Sequence, residues 1–453
     1  MTRIHRTPLS GWGRHPVEPA LAVRPEKWGD LDHALRDPEL PTILARGLGR
    51  SYGDAALNRE AGVVCTERLA RVLDFDPATG RLRAEGGCSL GTIIDRFLPR
   101  GYFPPVVPGT RFVTLGGAVA ADVHGKNHHA HGSFSKDVRR IELLDAQGNA
   151  RWISREQDPD AFFATVGGMG LTGIIRQVEL DLRPVQSAWI TQTTQRARNL
   201  DHALELFQTT FDAQTYSVAW IDCLASGDTL GRSVLLGGEH APAEAVPAKH
   251  RARARQKAIP IDFPGFALNA MTVRAFNALY YTRNKPGSRT VDQRAFFHPL
   301  DAVLHWNRIY GKRGFQQYQT VLPFEPDGSR DRATEALREI LTKLAASGRA
   351  SFLAVLKRFG DAGEGLLSFP MPGWTLTLDL PQRDGLEKLL HELDAITIDA
   401  GGRRYLAKDA CLTRDAFERM ERPRLDRFQA VRERLDPTGR FGSSLSRRLG
   451  LTP

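Results

Sequence analysis

An α+β fold in two domains is what this sequence predicts, and three observations predict it: its length, a series of glycine-punctuated turns early in the chain, and alternating strand and helix patterns later. At 453 residues the chain is too long for one ordinary core. The early turns lie at 46–58, 108–134 and 164–174, and the strand and helix patterns fill 332–402. We place a first domain at 1–186, a second at 187–402, and a return of the chain to the first domain at 403–453.

Bulk properties narrow the class. Hydrophobic content of 41% and charged content of 25% are those of a globular protein, which excludes a mainly disordered chain. Cys65, Cys88, Cys223 and Cys411 stand far apart with no CxxC pair, which argues against a disulfide scaffold or a zinc site and fits a reducing compartment. The first twenty residues carry positive charge without the apolar run of a signal peptide, and no later stretch has the length of a membrane span. The expected location is therefore the cytoplasm, with peripheral contact at the inner membrane face left open. A net charge of +10 favours an anionic partner. Nucleic acid is not expected, because no reading motif is present and aromatics are not interleaved with the basic clusters.

Along the chain, PTILA (41–45) reads as a short buried strand running into RGLGRSYGDAALN (46–58). Gly47, Gly49 and Gly53 allow positive φ and close approach of a ligand, and bare amides in such a turn form an anion nest to which Arg46 or Arg50 adds charge. A structural loop has the same composition, so a second element is needed. PGTRFVTLGGAVAADVHGKNHHAHGSF (108–134) supplies it: Gly116 and Gly117 precede an Ala/Val run able to lie flat against a large planar ligand. His124, His128, His129 and His131 sit in the same stretch, but no carboxylate or cysteine completes a metal-ligand set, and no metal is expected. A third element, ATVGGMGLTGIIRQVEL (164–180), is a glycine-rich turn feeding a β-branched strand.

Farther on, 332–348 has helical periodicity and a glycine stop, and SFLAVLKRF reads as a strand. WTLTLDLP (374–381) alternates as a strand should, and DGLEKLLHELDAITIDAGG reads as a helix started by Asp and ended by Gly.

The segments ARGLGRSYGD, PGTRFVTLGGAVAADVHGKNHH, GSF, ATVGGMGLTGII, WNRIYG, QYQ, SFLAVLKRFG, LSFPMPGW and RRYLAKD, in this order, resemble the vanillyl-alcohol-oxidase (PCMH-type) flavoprotein superfamily and, within it, the decaprenylphosphoryl-β-D-ribose 2-oxidase family. The resemblance implies a PCMH-type FAD-binding domain plus a substrate domain built on an antiparallel sheet with helices on one face. It also implies FAD held through Ala45, Arg46, Gly47, Leu48, Gly49, Arg50, Ser51, Tyr52, Gly53, Asp54 and Ala55, with Gly109, Thr114, Leu115, Gly116, Gly117, Ala121, Asp122, Val123 and His124 lining the rest and Ile175 and Tyr405 completing the site. Covalent members of the superfamily often carry a histidine where this chain has Arg50, so non-covalent FAD is expected.

The implied reaction is oxidation of the ribose C2 hydroxyl of a polyprenyl-phosphate-linked sugar. It is the first half of an epimerisation to an arabinose donor for cell-envelope glycans, completed by an NAD(P)H-dependent reductase. Lys408 is the expected base, since a partly desolvated lysine titrates near neutrality; the alternative is a surface lysine paired with Asp409. His124 is expected near flavin and substrate and Tyr52 in cofactor positioning, with core packing as the alternative for both. Lys126 and Lys357 would bind the substrate phosphate or the flavin, Gln317 and Gln319 would share a strand face toward the sugar with Tyr318 on the other, and Trp220 would form an apolar wall or be a structural tryptophan.

The chain departs from the family pattern at Thr377, where mycobacterial members have cysteine, at Thr375, where they have asparagine, and at Phe297, where the pattern has tyrosine. These changes touch the substrate pocket and leave the flavin segments intact. The stretch 237–269, basic from Lys249 to Lys257, reads as a mobile loop; by position it resembles the substrate-cover loop of the family, and its charge could dock on anionic lipid or remain solvated. Two other functions stay open: a sugar-alcohol or aldonolactone oxidase of the same superfamily, and a non-enzymatic flavin-binding protein.

Overall fold

Short apolar runs between glycine turns fold into two sheets in the first part of the chain. The computed structural model describes residues 3–245, 256–349 and 351–453. Val17–Val23, Gly62–Cys65 and Ile43–Arg46 run parallel, with His5–Ser10 antiparallel at the edge. Gly62–Cys65 is buried along its whole length, as a central parallel strand must be. A second sheet has five antiparallel strands in the order Val72–Asp76, Arg81–Glu85, Ile174–Asp181, Val138–Leu144 and Ala150–Ser154. The helices Leu90–Phe97 and Leu115–Ala120, capped by Ser89 and Thr114, share its core through Ile93, Phe97, Leu115 and Val119.

The second part is an eight-stranded sheet in the order Gly287–Asp292, Trp189–Ala197, Ser233–His240, Tyr216–Ile221, Ala354–Phe359, Gly373–Pro381, Phe315–Pro323 and Arg403–Arg404. Every neighbouring pair is antiparallel. The α+β class, with a large antiparallel sheet, is the one the sequence predicts. Because side chains alternate across a strand, Tyr318, Leu322, Leu356, Trp374, Leu376 and Leu378 form a core with the helices Leu200–Leu206, Asp331–Ser347 and Leu386–Asp399. The residues between them lie on the opposite face.

One helix start differs from the expectation. Gly385, not Asp384, caps Leu386–Asp399, with φ of 74° and no side-chain bond. Glycine takes the left-handed conformation without strain, and the Asp384 carboxylate is drawn instead to Arg313 at 2.6 Å. The other end agrees: Gly401, with φ of 74°, follows the C-cap Ala400. The basic run Lys249–Lys257 lies outside the described residues apart from Gln256 and Lys257. Among the described residues no helix is long and apolar enough to cross a membrane.

A buried ion network joins the two parts. Arg404 lies between Asp394, at 2.7 Å, and Asp409, at 3.0 Å, with its guanidinium 4.0 Å from the Tyr318 ring centroid. Arg448, near the chain end, reaches Asp409 at 2.8 Å and Asp54 at 2.7 Å. Removing one member of a buried ion pair leaves the others charged without compensation. Arg404→Met is therefore expected to lower the unfolding free energy by about 3–5 kcal/mol in urea titration, far more than Arg6→Met at the exposed pair with Glu60.

Candidate functional site

The glycine-rich loop after Ile43–Arg46 presents an unusual run of donors. Gly47, Leu48, Gly49, Arg50 and Ser51 have backbone amides with no acceptor among the described residues. The backbone there is half-buried or exposed, and Gly49 has φ of 61°. Consecutive bare amides of this kind form a concave anion site. Arg46 braces the loop, donating to Ala56 O at 2.8 Å and Ser10 O at 2.7 Å, so its charge faces protein carbonyls. Arg50 instead stacks over Trp12 at 4.0 Å and keeps Nε without a partner.

Beside this loop runs a smooth surface. A Cβ on Gly47 would collide with the Thr114 hydroxyl, so loop and helix start touch directly. Thr114 caps Leu115–Ala120 by accepting from Gly117 N at 3.2 Å. Leu115, Ala118 and Val119 point into the core, leaving Gly116, Gly117, Ala120 and Ala121 half-exposed on the other side. The Ala/Val run thus forms a helix whose outer face bears nothing larger than methyl. Gly109 adds open space at one end, and Ile175 is almost wholly buried. Asp54, Ala55, Leu115 and Val123 have buried side chains, and Asp122 is held by Ser368 at 2.6 Å and by Ser135 N at 3.2 Å. At those positions the backbone is what remains to meet a ligand. A pyrophosphate at the amide run and a flat ring system along the small-residue face suit this donor set, so the residues present fit FAD.

The same loop fixes the expected base. Tyr52 N donates to Ala407 O at 3.0 Å, and Gly53 packs so closely on the Asp409 carbonyl that a Cβ there would overlap it. Lys408, between those two contacts, lays its ammonium 3.8 Å from the Tyr52 ring centroid. Its carboxylate neighbour Asp409 is engaged by Arg404 and Arg448, which removes the reading of Lys408 as a surface lysine paired with Asp409.

Facing Lys408 is the side of the large sheet opposite the three helices of its core. Register places Gln317 opposite Asp379, Gln319 opposite Thr377, Lys357 opposite Thr375 and Trp220 opposite Val355, all on one face. Tyr318 is on the other face, where its hydroxyl meets Thr397 at 3.0 Å. Gln319 Nε2 lies 2.9 Å from His124 Nε2 and donates to Thr375 Oγ1 at 3.2 Å. His124 is enclosed by Phe359, Phe369 and Tyr405, and its Nδ1 is buried without a partner. Tyr405 ties this cluster to the small-residue helix by donating to Ala121 O at 2.8 Å. Trp220 Nε1 donates to Phe352 O at 3.1 Å. Lys126 donates to Phe296 O and lies 4.7 Å from that ring's centroid. The neighbouring histidines disperse: His128 meets Ser133, His129 the Gln214 carbonyl, and His131 Asp137.

Asp379 was not among the expected residues. It accepts a hydrogen bond from Gln317 and interacts electrostatically with Lys408. The signal was available, since Asp379 lies two residues beyond Thr377 and so on the same strand face. Tyr310, buried beside Tyr52 and Asp379 with an unpartnered hydroxyl, carried no such signal because it ends the short 3-10 helix Trp306–Tyr310, which has no strand alternation.

Burial dominates the electrostatics. It depresses Lys408, which Asp379 partly restores and Lys357 depresses further, and it raises Asp379. The two titrate as a pair rather than as independent groups. Burial also brings Lys357 down to about 8, and burial reinforced by Lys357 brings Lys126 down to about 7. His124 is held neutral by burial and by Lys357.

Comparison with known proteins agrees with this geometry. Residues 19–154 match the family described as FAD binding domain, and 331–449 match that described as D-arabinono-1,4-lactone oxidase. The chain is 38% identical to decaprenylphosphoryl-beta-D-ribose oxidase of Mycolicibacterium smegmatis, over 90% of this chain and 89% of the relative. It is 36% identical to an uncharacterized protein from the mprA 5' region of Streptomyces coelicolor, over 80% of this chain and 100% of the relative. Identity to L-gulono-1,4-lactone dehydrogenase of Mycobacterium tuberculosis is 24%, over 97% and 98% of the two chains. Relatedness at 38% over nearly the whole length carries family as well as fold, and the chain belongs to the FAD-dependent oxidases of the vanillyl-alcohol-oxidase, PCMH-type family.

Proposed function

We propose that the protein oxidises the ribose C2 hydroxyl of a polyprenyl-phosphoryl-β-D-ribose to the 2-keto sugar, using non-covalently held FAD. The observation that carries this reading is Lys408, fixed over Tyr52 and coupled to Asp379 in front of a wall of amides, hydroxyls and a lysine. The similarity to a decaprenylphosphoryl-beta-D-ribose oxidase supports the choice of sugar. A partner NAD(P)H-dependent reductase would reduce the keto group from the opposite side and so complete an epimerisation to an arabinose donor.

The bound flavin supplies the acceptor for the hydride that leaves C2. The protein's own groups do the rest. Neutral Lys408 takes the hydroxyl proton as the carbonyl forms, and Asp379 steadies the resulting ammonium. Gln317, Gln319 and Thr377 orient the sugar hydroxyls, and His124, kept neutral by burial, positions Gln319 through the contact between their Nε2 atoms. Lys357 and Lys126 place positive charge where a phosphate on substrate or cofactor enters. The amide run at 47–51 and the small-residue helix hold the cofactor, with Arg50 where a covalent attachment point would stand. The match to D-arabinono-1,4-lactone oxidase over 331–449 favours a second reading, oxidation of a free sugar lactone or polyol by the same groups.

Four measurements test this. In anaerobic absorbance scans, polyprenyl-phosphoryl ribose is expected to bleach the flavin band and free polyols or lactones are not; the reverse pattern establishes the second reading, and failure to take up FAD overturns both. Acid precipitation is expected to release all the flavin into the supernatant. Lys408→Met is expected to slow bleaching by about 100- to 10,000-fold. The wild-type rate should rise with pH through neutrality, because the deprotonated amine is the base.

Lys357→Met separates binding from folding. A lysine whose pKa is depressed on folding penalises the folded state fully below the folded value, and the penalty disappears above the unfolded value. With Lys357 at about 8, the ligand-free variant is expected to be more stable than wild type at pH 6. The gain is about 1–2 kcal/mol, after allowing for solvent screening in the recess. It should vanish by about pH 10.5, while substrate KM rises.

A further inference from the structure

Among the described residues, the exposed large hydrophobic side chains are concentrated in one place. Val17 and Leu48 stand alone, but Ile261, Phe263, Phe266, Met271, Phe276 and Leu279 share a single segment, with Phe266 78% and Met271 75% exposed. Isolated exposed apolar residues need no explanation, whereas a cluster of this kind marks a contact surface.

The segment is built to hold this face outward. Asn269 caps the helix Ala270–Arg283, accepting from Met271 N and Thr272 N. Of the helix residues only Val273 and Asn277 are buried. Asn277 is anchored to Asp222 at 2.6 Å, and one turn on Tyr280 packs on Trp220 with ring centroids 4.6 Å apart. That stripe fixes the inner side and leaves Met271, Arg274, Ala275, Ala278, Leu279 and Thr282 outward. The preceding turn is also held, by Phe263 N to Arg308 O at 2.9 Å and by Arg383 to Gly265 O at 2.9 Å.

Charge identifies the partner. Lys257, Arg274, Arg283, Lys285 and Arg289 are all exposed, and none has a carboxylate partner among the described residues. The one carboxylate between 256 and 291 is Asp262, which is paired with Arg14. Two copies of such a face would bring like charges together. Apolar side chains ringed by unpaired cations suit the boundary between acyl chains and anionic headgroups, and at 14 residues the helix is too short to span and would lie in the interface plane.

We propose that Ile261–Phe266 and the outer side of Ala270–Arg283 form a docking surface for an anionic lipid bilayer. The surface goes beyond the sugar-oxidation reading and does not rest on it. It continues into the candidate site, because the docked helix rests on Trp220, which shares a sheet face with Lys357 and Thr377.

The test is flotation of the full chain with substrate-free vesicles, either phosphatidylcholine alone or phosphatidylcholine mixed with phosphatidylglycerol. Wild type is expected to float with the anionic vesicles and not with the neutral ones. The substitutions Ile261→Ser, Phe266→Ser, Met271→Ser and Leu279→Ser together should lower the bound fraction at least about tenfold. Arg274→Gln, Arg283→Gln and Lys285→Gln together should do the same and abolish the salt dependence. Unchanged circular dichroism and flavin uptake show that both variants are folded. Flotation of the serine variant equal to wild type overturns the proposal, as does a dimer in sedimentation that the same serine substitutions dissolve. Vesicle binding without bleaching by the lipid-linked sugar leaves the docking surface standing and removes the substrate assignment alone.

Discussion

The Asp409 carboxylate, buried between Arg404 and Arg448, is the constraint on which the site depends. Through Arg404 it holds the end of the large sheet, and through Arg448 and Asp54 it holds the glycine-rich loop. Those two arginines keep Asp409 ionised against the cost of burial. Such a cluster stores little net stability, but any single deletion from it is costly. What it secures is relative position, because the backbone of Asp409 carries Lys408 on one side and presses on Gly53 on the other. The glycine-rich loop, Lys408 and the polar face of the sheet are thereby referred to one point.

From that point the chemistry follows by alternation along strands. One face of the sheet is given wholly to aliphatic and aromatic packing under three helices, which makes the wall rigid. The other face can then carry glutamines, threonines, a lysine and an aspartate without collapsing around them. The buried ammonium groups of Lys126 and Lys357 are unfavourable, because burial penalises their charged form. Charged groups are here maintained at the expense of stability by a scaffold that tolerates the loss.

Much of this was legible in the sequence, for reasons that differ by element. The strand Gly373–Pro381 and the helix Asp331–Ser347 were visible because burial on one side imposes period two or period three to four on the residues themselves. The glycine loop was visible because its backbone excludes side chains. The N-cap of Leu386–Asp399 was misread because Asp384 offers the usual capping chemistry, yet a nearby Arg313 competes for it across the fold. Asp379 was overlooked although its register was implicit, since a carboxylate in a strand reads as solvent-facing until the partner surface is known. Tyr310 and the buried arginines are of the opposite sort. Their roles arise from contacts between segments far apart in sequence, which no local pattern records.

The depressed lysines also give this part of the protein a property of its own: it is short of protons near neutral pH. An anion that settles beside Lys357 and Lys126 raises their proton affinity, so near neutral pH its arrival draws protons from the solution. Apparent affinity then weakens as the medium becomes alkaline even for a ligand that does not itself titrate. The heat of binding likewise becomes partly the heat of ionising the buffer, and the same ligand would appear to bind with different enthalpies in different buffers while contacting the same residues.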